Sequence, residues 1–365
     1  MKFVSGDRIF FALMLSIALA GLAIFSSATL GLLARGNVSI SRDILLQAGL
    51  GLGFGLVAFF AARAIPLERI RAFAPYLYAA ALLLTASVFI PGIGFHAGGA
   101  TRWINLRFTT LQPAEFLKIG VVLGLAWWLA PRARQLTNPK KGLLPFAAFL
   151  ALPVGLLLAQ PNTSTTLLIV ATGAVMYFAA GAPWRDFGIL AIGTILVFGI
   201  IVIPRPYVLE RVKTFFDPSA HSLSSGYQIQ QSLIAIGSGG ILGRGFGQSV
   251  EKFNYLPEPD GDSVFAVFAE ETGFIGAMTL LALFVGLAAR GIVIAGNARD
   301  LFGGLVALGF SFIIILQAFI NIGAMLGIIP LTGLPLPFVS HGGTALVATF
   351  LMCGFILNVG TRRKS

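Results

Sequence analysis

The sequence predicts an all-α polytopic membrane protein, and three observations lead there. Of its 365 residues, 57% are hydrophobic and only 11% are charged, against roughly 25% charged in a soluble domain. Mean hydropathy is +0.90. Apolar runs of about 20 residues, the length that crosses a bilayer as a helix, recur along the whole chain.

About ten transmembrane helices fit, near 9–33, 44–64, 73–91, 113–130, 143–159, 164–181, 187–204, 263–289, 302–328 and 340–360. The first follows Arg8 and carries no charge from Ile9 to Ala34. That is too long for the core of a cleaved signal peptide, so it is expected to stay as a span. No Asp, Glu, Lys or Arg occurs from Leu301 to Thr361. Length allows two spans there, with Pro330, Pro335 and Pro337 marking the turn between them. Residues 1–365 read as a single integral membrane domain with one large extracytoplasmic loop, 205–261, between helices 7 and 8.

Basic residues gather on the cytoplasmic side of membrane proteins. A cytoplasmic N-terminus places Lys2, Arg8, Arg63, Arg69, Arg71, Arg132, Arg134, Lys140, Lys141, Arg185, Arg290, Arg299, Arg362, Arg363 and Lys364 inside, which is most of the basic residues. Both termini are therefore expected in the cytoplasm. The net charge of +11 is spread over loops, so topology accounts for it and no nucleic-acid partner is expected. The single cysteine, Cys353, lies in the last apolar run and can form no intrachain disulfide.

Two short helices on the membrane surface are expected in the large loop. RPYVLERVKTFFDP mixes basic and apolar residues as an interfacial helix does, and Gly226–Ile236 carries Ile229, Leu233, Ile234 and Ile236. Six glycines follow between Gly237 and Gly247. A phosphate-cradling fingerprint needs a strand before it and a helix after it. Neither is evident, so a flexible, closely packed loop is the expectation. HExxH, CxxC and a serine nucleophile elbow do not occur, and His96, His221 and His341 are dispersed. No metal or other cofactor is expected.

Chemistry concentrates in Leu256–Gly276, where Glu258, Asp260 and Asp262 precede an apolar helix carrying Glu270 and Glu271. Carboxylates at the edge of hydrocarbon usually line a cavity or a pathway. Three further patches fall on the same external face. Gly99–Lys118 holds Arg102 and Arg107, with Glu115 and Lys118 on one face of a helix; this pair suits either a ligand or a structural ion pair. Gln160–Thr166 contains Asn162 and Thr165, and helix capping by Asn162 or Thr163 explains it adequately. Leu331–Thr344 is a Pro/Gly turn leading through Ser340 into the last helix. Asp262, just before an apolar run, reads equally as a helix cap and as a base. Cations and carboxylates converging outside the bilayer suit a lipid-linked anionic substrate.

These stretches, quoted as GATRWINL, LQPAEFLK, GYQIQQSLIAIGSGGILGRGFGQSVEKFNYLPE, DSVFAVFAEETGFIG and NIGAMLGIIPLTGLPLPFVSHGG, resemble the SEDS family of shape, elongation, division and sporulation proteins. Nearly the whole chain is covered, and QSVEKFNYLPE is nearer the FtsW branch than the RodA branch. The resemblance implies a peptidoglycan glycosyltransferase of the bacterial cytoplasmic membrane. Such an enzyme polymerises lipid II on the outer face, alongside a class B penicillin-binding protein and other division or elongation proteins. It also implies that Asp262 is the catalytic aspartate. Arg102, Glu115, Lys118, Asn162, Thr165, Asp260 and Ser340 are then expected to bind substrate. The chain departs from the family pattern at three places. Asp260-Gly261 stands where His-Thr is usual, which makes Asp260 a rival base. Asn162 replaces an aspartate, and His341 a tyrosine. A transporter or flippase for the same precursor is the alternative function, and a non-catalytic scaffold is a third.

Overall fold

The computed structural model describes residues 7–34, 46–97, 100–106, 110–201, 206–217 and 225–361. Arg107 and His221, together with the basic residues Lys2, Arg362, Arg363 and Lys364, lie outside the described residues. Helix occurs over each stretch expected to span: α1 (Arg8–Ala34), a π-helical Leu46–Gly53 continuing as α2 (Phe54–Ala64), α3 (Leu67–Ala86), α4 (Pro113–Leu129), α5 (Leu143–Ala159), α6 (Thr163–Ala179) and α7 (Trp184–Ile201). The large loop contributes α8 (Pro206–Phe216), α9 (Ser225–Ser238) and the single turn α10 (Glu251–Asn254). Then come α11 (Val264–Gly296), α12 (Leu301–Met325) and α13 (Gly343–Gly360). Among the described residues six helices are long and apolar enough to cross a membrane. The third span starts earlier than expected because Pro66 initiates the helix and its charged first turn, Leu67 to Arg71, remains helical.

Helices α4, α12 and α13 occupy the centre and are apolar nearly all round, as a helix surrounded by others must be. Leu117, Val121 and Leu125 of α4 are inaccessible, as are Phe310 and Ala318 of α12 and Cys353 and Ile356 of α13.

Two polar contacts tie α11 to α1 and to the residue just before α1. At one end Asp7 pairs with Arg290 (Oδ2 to Nη2, 2.6 Å). At the other Ser27 donates to Glu271 (2.7 Å). From Asp7 to Ser27 is about 30 Å along a helix, the thickness of a bilayer's hydrocarbon core. Asp262 precedes Glu271 in the chain, just before α11 begins at Val264, on the same side of the bundle as the Ser27–Glu271 contact.

Helix α11 is broken at Gly273 (φ 66°, ψ −165°), and the glycine-rich loop repairs the break. Arg244 N–H donates to Glu270 O (3.0 Å) and Gly245 N–H to Glu271 O (2.9 Å). Phe274 and Ile275 donate back to the carbonyls of Gly240 and Ile241 (2.9 and 3.2 Å). Irregular backbone at a membrane boundary needs such internal partners. Gly243 has φ +80°, and a Cβ there would collide with the Glu271 carbonyl. Gly239 and Gly243 therefore serve close backbone approach, in keeping with a packed loop rather than a nucleotide cradle.

The expected surface helix at Gly226–Ile236 lies elsewhere. Helix α9 runs beside the outer half of α11, burying Ile229, Ser232 and Ala235, with Ser232 Oγ donating to Met325 Sδ (3.4 Å). Its small residues form one face that packs closely, a pattern that the apolar positions alone concealed. A three-stranded antiparallel sheet was also not anticipated. β1 (Gly94–Ala97), β2 (Ala100–Asn105) and β3 (Thr110–Leu111) pair in that order, with Phe95 opposite Trp103 and Ile104 opposite Leu111. The sheet carries Arg102 toward the bundle.

Candidate active site

The loop before α11 is strapped to α12 and to the turn before α13 through three consecutive carbonyls. Asp260 O accepts from His341 N–H (2.7 Å). Gly261 O accepts from Ser340 Oγ (2.7 Å). Asp262 O accepts from Asn321 Nδ2 (3.0 Å). Within the loop, Glu258 O accepts from the N–H groups of Gly261 and Ser263 (3.1 and 3.2 Å). Ser263 Oγ closes the turn on Pro257 O (2.8 Å) and accepts from Gln228 Nε2 of α9 (2.9 Å). Ser263, not Asp262, holds the N-cap position of α11. The Asp262 side chain is thus left for the cavity beside it.

That cavity, of about 80 Å³, is lined by Arg211, Gln228, Asp262, Asn321, Thr332 and Gly333 together with Ala324, Met325 and Leu331. Arg211 Nη1 donates to the carbonyls of Leu331 and Thr332 (3.1 and 3.3 Å). Asn321 Oδ1 and Thr332 Oγ1 are buried without a hydrogen-bond partner, so the cavity keeps two polar atoms available. Burial, and then the nearby Glu258 carboxylate, push the Asp262 pKa up to about 6, while Arg211 opposes them. A carboxyl with that pKa is ionised at neutral pH yet basic enough to take a proton.

The four polar patches do meet. Arg102 donates from Nε to Gln160 O (3.2 Å) and from Nη2 to Pro161 O, joining the sheet to the start of α6. Ser164 Oγ donates to Thr332 O (2.7 Å). Thr344 Oγ1 donates to Thr110 O (3.1 Å).

Of the residues expected to touch substrate, however, Asp262 is the one that lines this cavity. Lys118 is wholly inaccessible, bonded to Glu115 (2.8 Å) and to Gln317 Oε1 of α12 (2.7 Å). A substrate-holding role does not fit that burial; the pair has the geometry of a structural tie between α4 and α12. Asn162 caps α6 by accepting from Thr165 N–H (3.3 Å), and both side chains are buried. The Ser340 hydroxyl donates to the loop and accepts from Leu336 N–H (2.8 Å). Asp260 faces His341 (3.2 Å), which removes it from the position of a free rival base. Arg211, Gln228, Asn321 and Thr332 were not anticipated. Arg211 had a signal, being a cation on an interfacial helix close in sequence to the acidic loop. Thr332 lies in the Leu331–Thr344 patch, and Gln228 and Asn321 in the stretches that carry the family resemblance, but nothing local singled out these three side chains.

Glu270 and Glu271 are buried. Glu271 bonds Lys252 (2.6 Å) and Ser27. Glu270 accepts from Ser249 Oγ (2.5 Å) and Val250 N–H (3.0 Å), with Arg244 at 3.5 Å. They anchor the returning loop at the membrane boundary.

Fold and site together define a helical integral membrane protein with a raised-pKa carboxyl, that of Asp262, lining a small polar cavity at the head of α11. The comparisons make the assignment closer. Residues 7–365 match the family model FtsW/RodA/SpoVE, described as cell cycle protein, and the chain belongs to that family. Stage V sporulation protein E of Bacillus subtilis is 38% identical over 312 residues, covering 84% of each chain. "Probable peptidoglycan glycosyltransferase FtsW" of Coxiella burnetii is 38% identical over 314 residues, again 84% of each. Among solved structures, the rod shape determining protein RodA of Thermus thermophilus superposes with a TM-score of 0.72 at 29% identity over the full length of both. A chain from a peptidoglycan synthase complex, described as coordinating polymerization and crosslinking, gives 0.80 at 31% identity and 98% coverage of both.

Proposed function

We propose that this chain is a peptidoglycan glycosyltransferase that polymerises lipid II on the outer face of the bacterial cytoplasmic membrane. The observation that carries the reading is the placement of Asp262. Its carboxyl, with a pKa of about 6, lies just before the membrane-spanning α11, which on this reading puts it at headgroup height, beside a polar cavity that also holds Arg211. A lipid-linked substrate keeps its tail in hydrocarbon and presents its sugars at that height. Asp262 takes the proton from the acceptor sugar's 4-hydroxyl as its oxygen bonds the donor's anomeric carbon. The bond from that carbon to the pyrophosphate breaks, and undecaprenyl pyrophosphate leaves. General-base assistance of this kind contributes about 10²–10⁴-fold. The end bearing Asp7, Arg290, Arg71 and Asp300 faces the cytoplasm with both termini, as the distribution of basic residues favours. A class B penicillin-binding protein is the expected partner. One support is that a similar chain was solved within a synthase complex.

The test is reconstitution with purified lipid II, with and without such a partner, followed by separation of products by size. Long glycan strands from the wild type and none from Asp262→Asn are expected. Movement of lipid II across vesicles without polymer would replace this reading with transport.

A further inference from the structure

His341 and Asp260 make a contact that neither packing nor capping requires. His341 Nδ1 lies 3.2 Å from Asp260 Oδ2, with the imidazole 48% exposed. The main chains of the same two residues are bonded, His341 N–H to Asp260 O (2.7 Å). The ring also meets Phe25 of α1, tilted by 53° with centroids 5.6 Å apart, and Phe25 is itself buried. One imidazole therefore joins three elements: the loop that ends in Asp262, the turn that enters α13, and α1. This link between loop and turn is made by two ionisable side chains.

Two residues separate Asp260 from Asp262, and Glu258 between the prolines has a left-handed φ of +47°. A loop with such a strained residue relaxes unless neighbouring structure holds it. The carbonyl straps fix its main-chain path. The Asp260 side chain adds a side-chain link at the same point, two residues before Asp262. We propose that Asp260 and His341 act as a positioning pair for Asp262, touching no substrate themselves. The proposal rests on Asp262 being the base.

His341 is half-exposed while Asp260 is largely buried, and the main-chain straps remain when the side-chain contact is removed. The loss is therefore expected in turnover, which a misdirected base lowers steeply. The experiment compares His341→Ala, Asp260→Asn and the exchanged double variant Asp260→His/His341→Asp, each as full-length protein polymerising lipid II. Melting in detergent is recorded alongside. Each single variant is expected to lose about tenfold in kcat, with KM within about twofold and melting unchanged. The exchanged variant should recover most of the loss, since the same two groups meet with their positions reversed. Single variants with unchanged kcat, a loss confined to KM, or an exchanged variant no better than the singles would each overturn the proposal. Asp262→Asn in the same assay separates the two readings. If it polymerises, the base is misassigned; if it is inert while the pair variants behave as wild type, the base stands and the pair does not.

Discussion

Arg211 and Asp262 flank Gly333: from the point that a Cβ on this glycine would occupy, Asp262 Oδ2 lies 3.4 Å away and Arg211 Nη2 3.9 Å away. The guanidinium thus comes from the external loop to the carboxylate at the head of α11, and a residue with no side chain leaves the gap between them open.

Arg211 holds the Asp262 pKa down against burial and Glu258. Arg211→Gln should therefore move that pKa above 6. The rate falls as pH drops through the pKa of a base, so the acid limb of the polymerisation profile should shift to higher pH. A plot of kcat/KM against pH for the two proteins checks this. An unmoved limb would mean that Arg211 does not act on the base.

Lys118 and Glu115 are both buried. Removing the cation leaves a carboxylate enclosed without its partner, which costs about 3–5 kcal/mol in comparable sites. Lys118→Met is expected to melt well below wild type, and Glu115→Gln/Lys118→Met to regain most of the difference. Equal melting of Lys118→Met and wild type would return the pair to the list of ligand-binding groups.

The glycines of the loop should differ sharply in tolerance. Gly243 has φ +80° and faces the Glu271 carbonyl, whereas Gly237 has open space around it. Gly243→Ala should destabilise by more than about 1 kcal/mol and speed amide exchange at Gly245 and Phe274. Gly237→Ala, inside α9, should be neutral or slightly stabilising. Similar melting curves for the two variants would show that the loop does not need its left-handed turn.

Helix positions and the convergence of four patches were legible because each rests on local pattern: apolar runs, proline turns, acids at a helix mouth. Local pattern left Asp262 equally a cap or a base, and only the family resemblance singled it out. What escaped depends on contacts between distant segments. Nothing in Gly226–Ile236 says which neighbour it packs against, and its burial beside α11 follows from small residues at Ser232 and Ala235. The strands Gly94–Leu111 are too short to show alternation. Lys118 has the same letters whether it faces a substrate or Gln317. Asn321 reaches Asp262 O from a helix that is 59 residues away in sequence, a separation no motif spans.

The base itself should be a stability liability. An aspartate whose pKa is about 6 in the folded protein, against an ordinary 3.8, binds its proton more tightly when folded than when unfolded. The stability this confers is fully present below pH 3.8 and is lost as pH rises through 6. Across that window the ionised form costs up to about 3 kcal/mol. Asparagine cannot ionise, so Asp262→Asn should abolish polymerisation and yet melt higher than wild type above pH 6. The gap should close as pH falls toward 4. Melting of both proteins in detergent from pH 4 to 8 checks this, with lipid II omitted so that binding does not shift the curves. A variant that melts lower than wild type at pH 7.5 would show that the carboxylate is held by favourable contacts. Arg211 would then outweigh burial at this site, and the carboxyl would be too acidic for the role assigned to it.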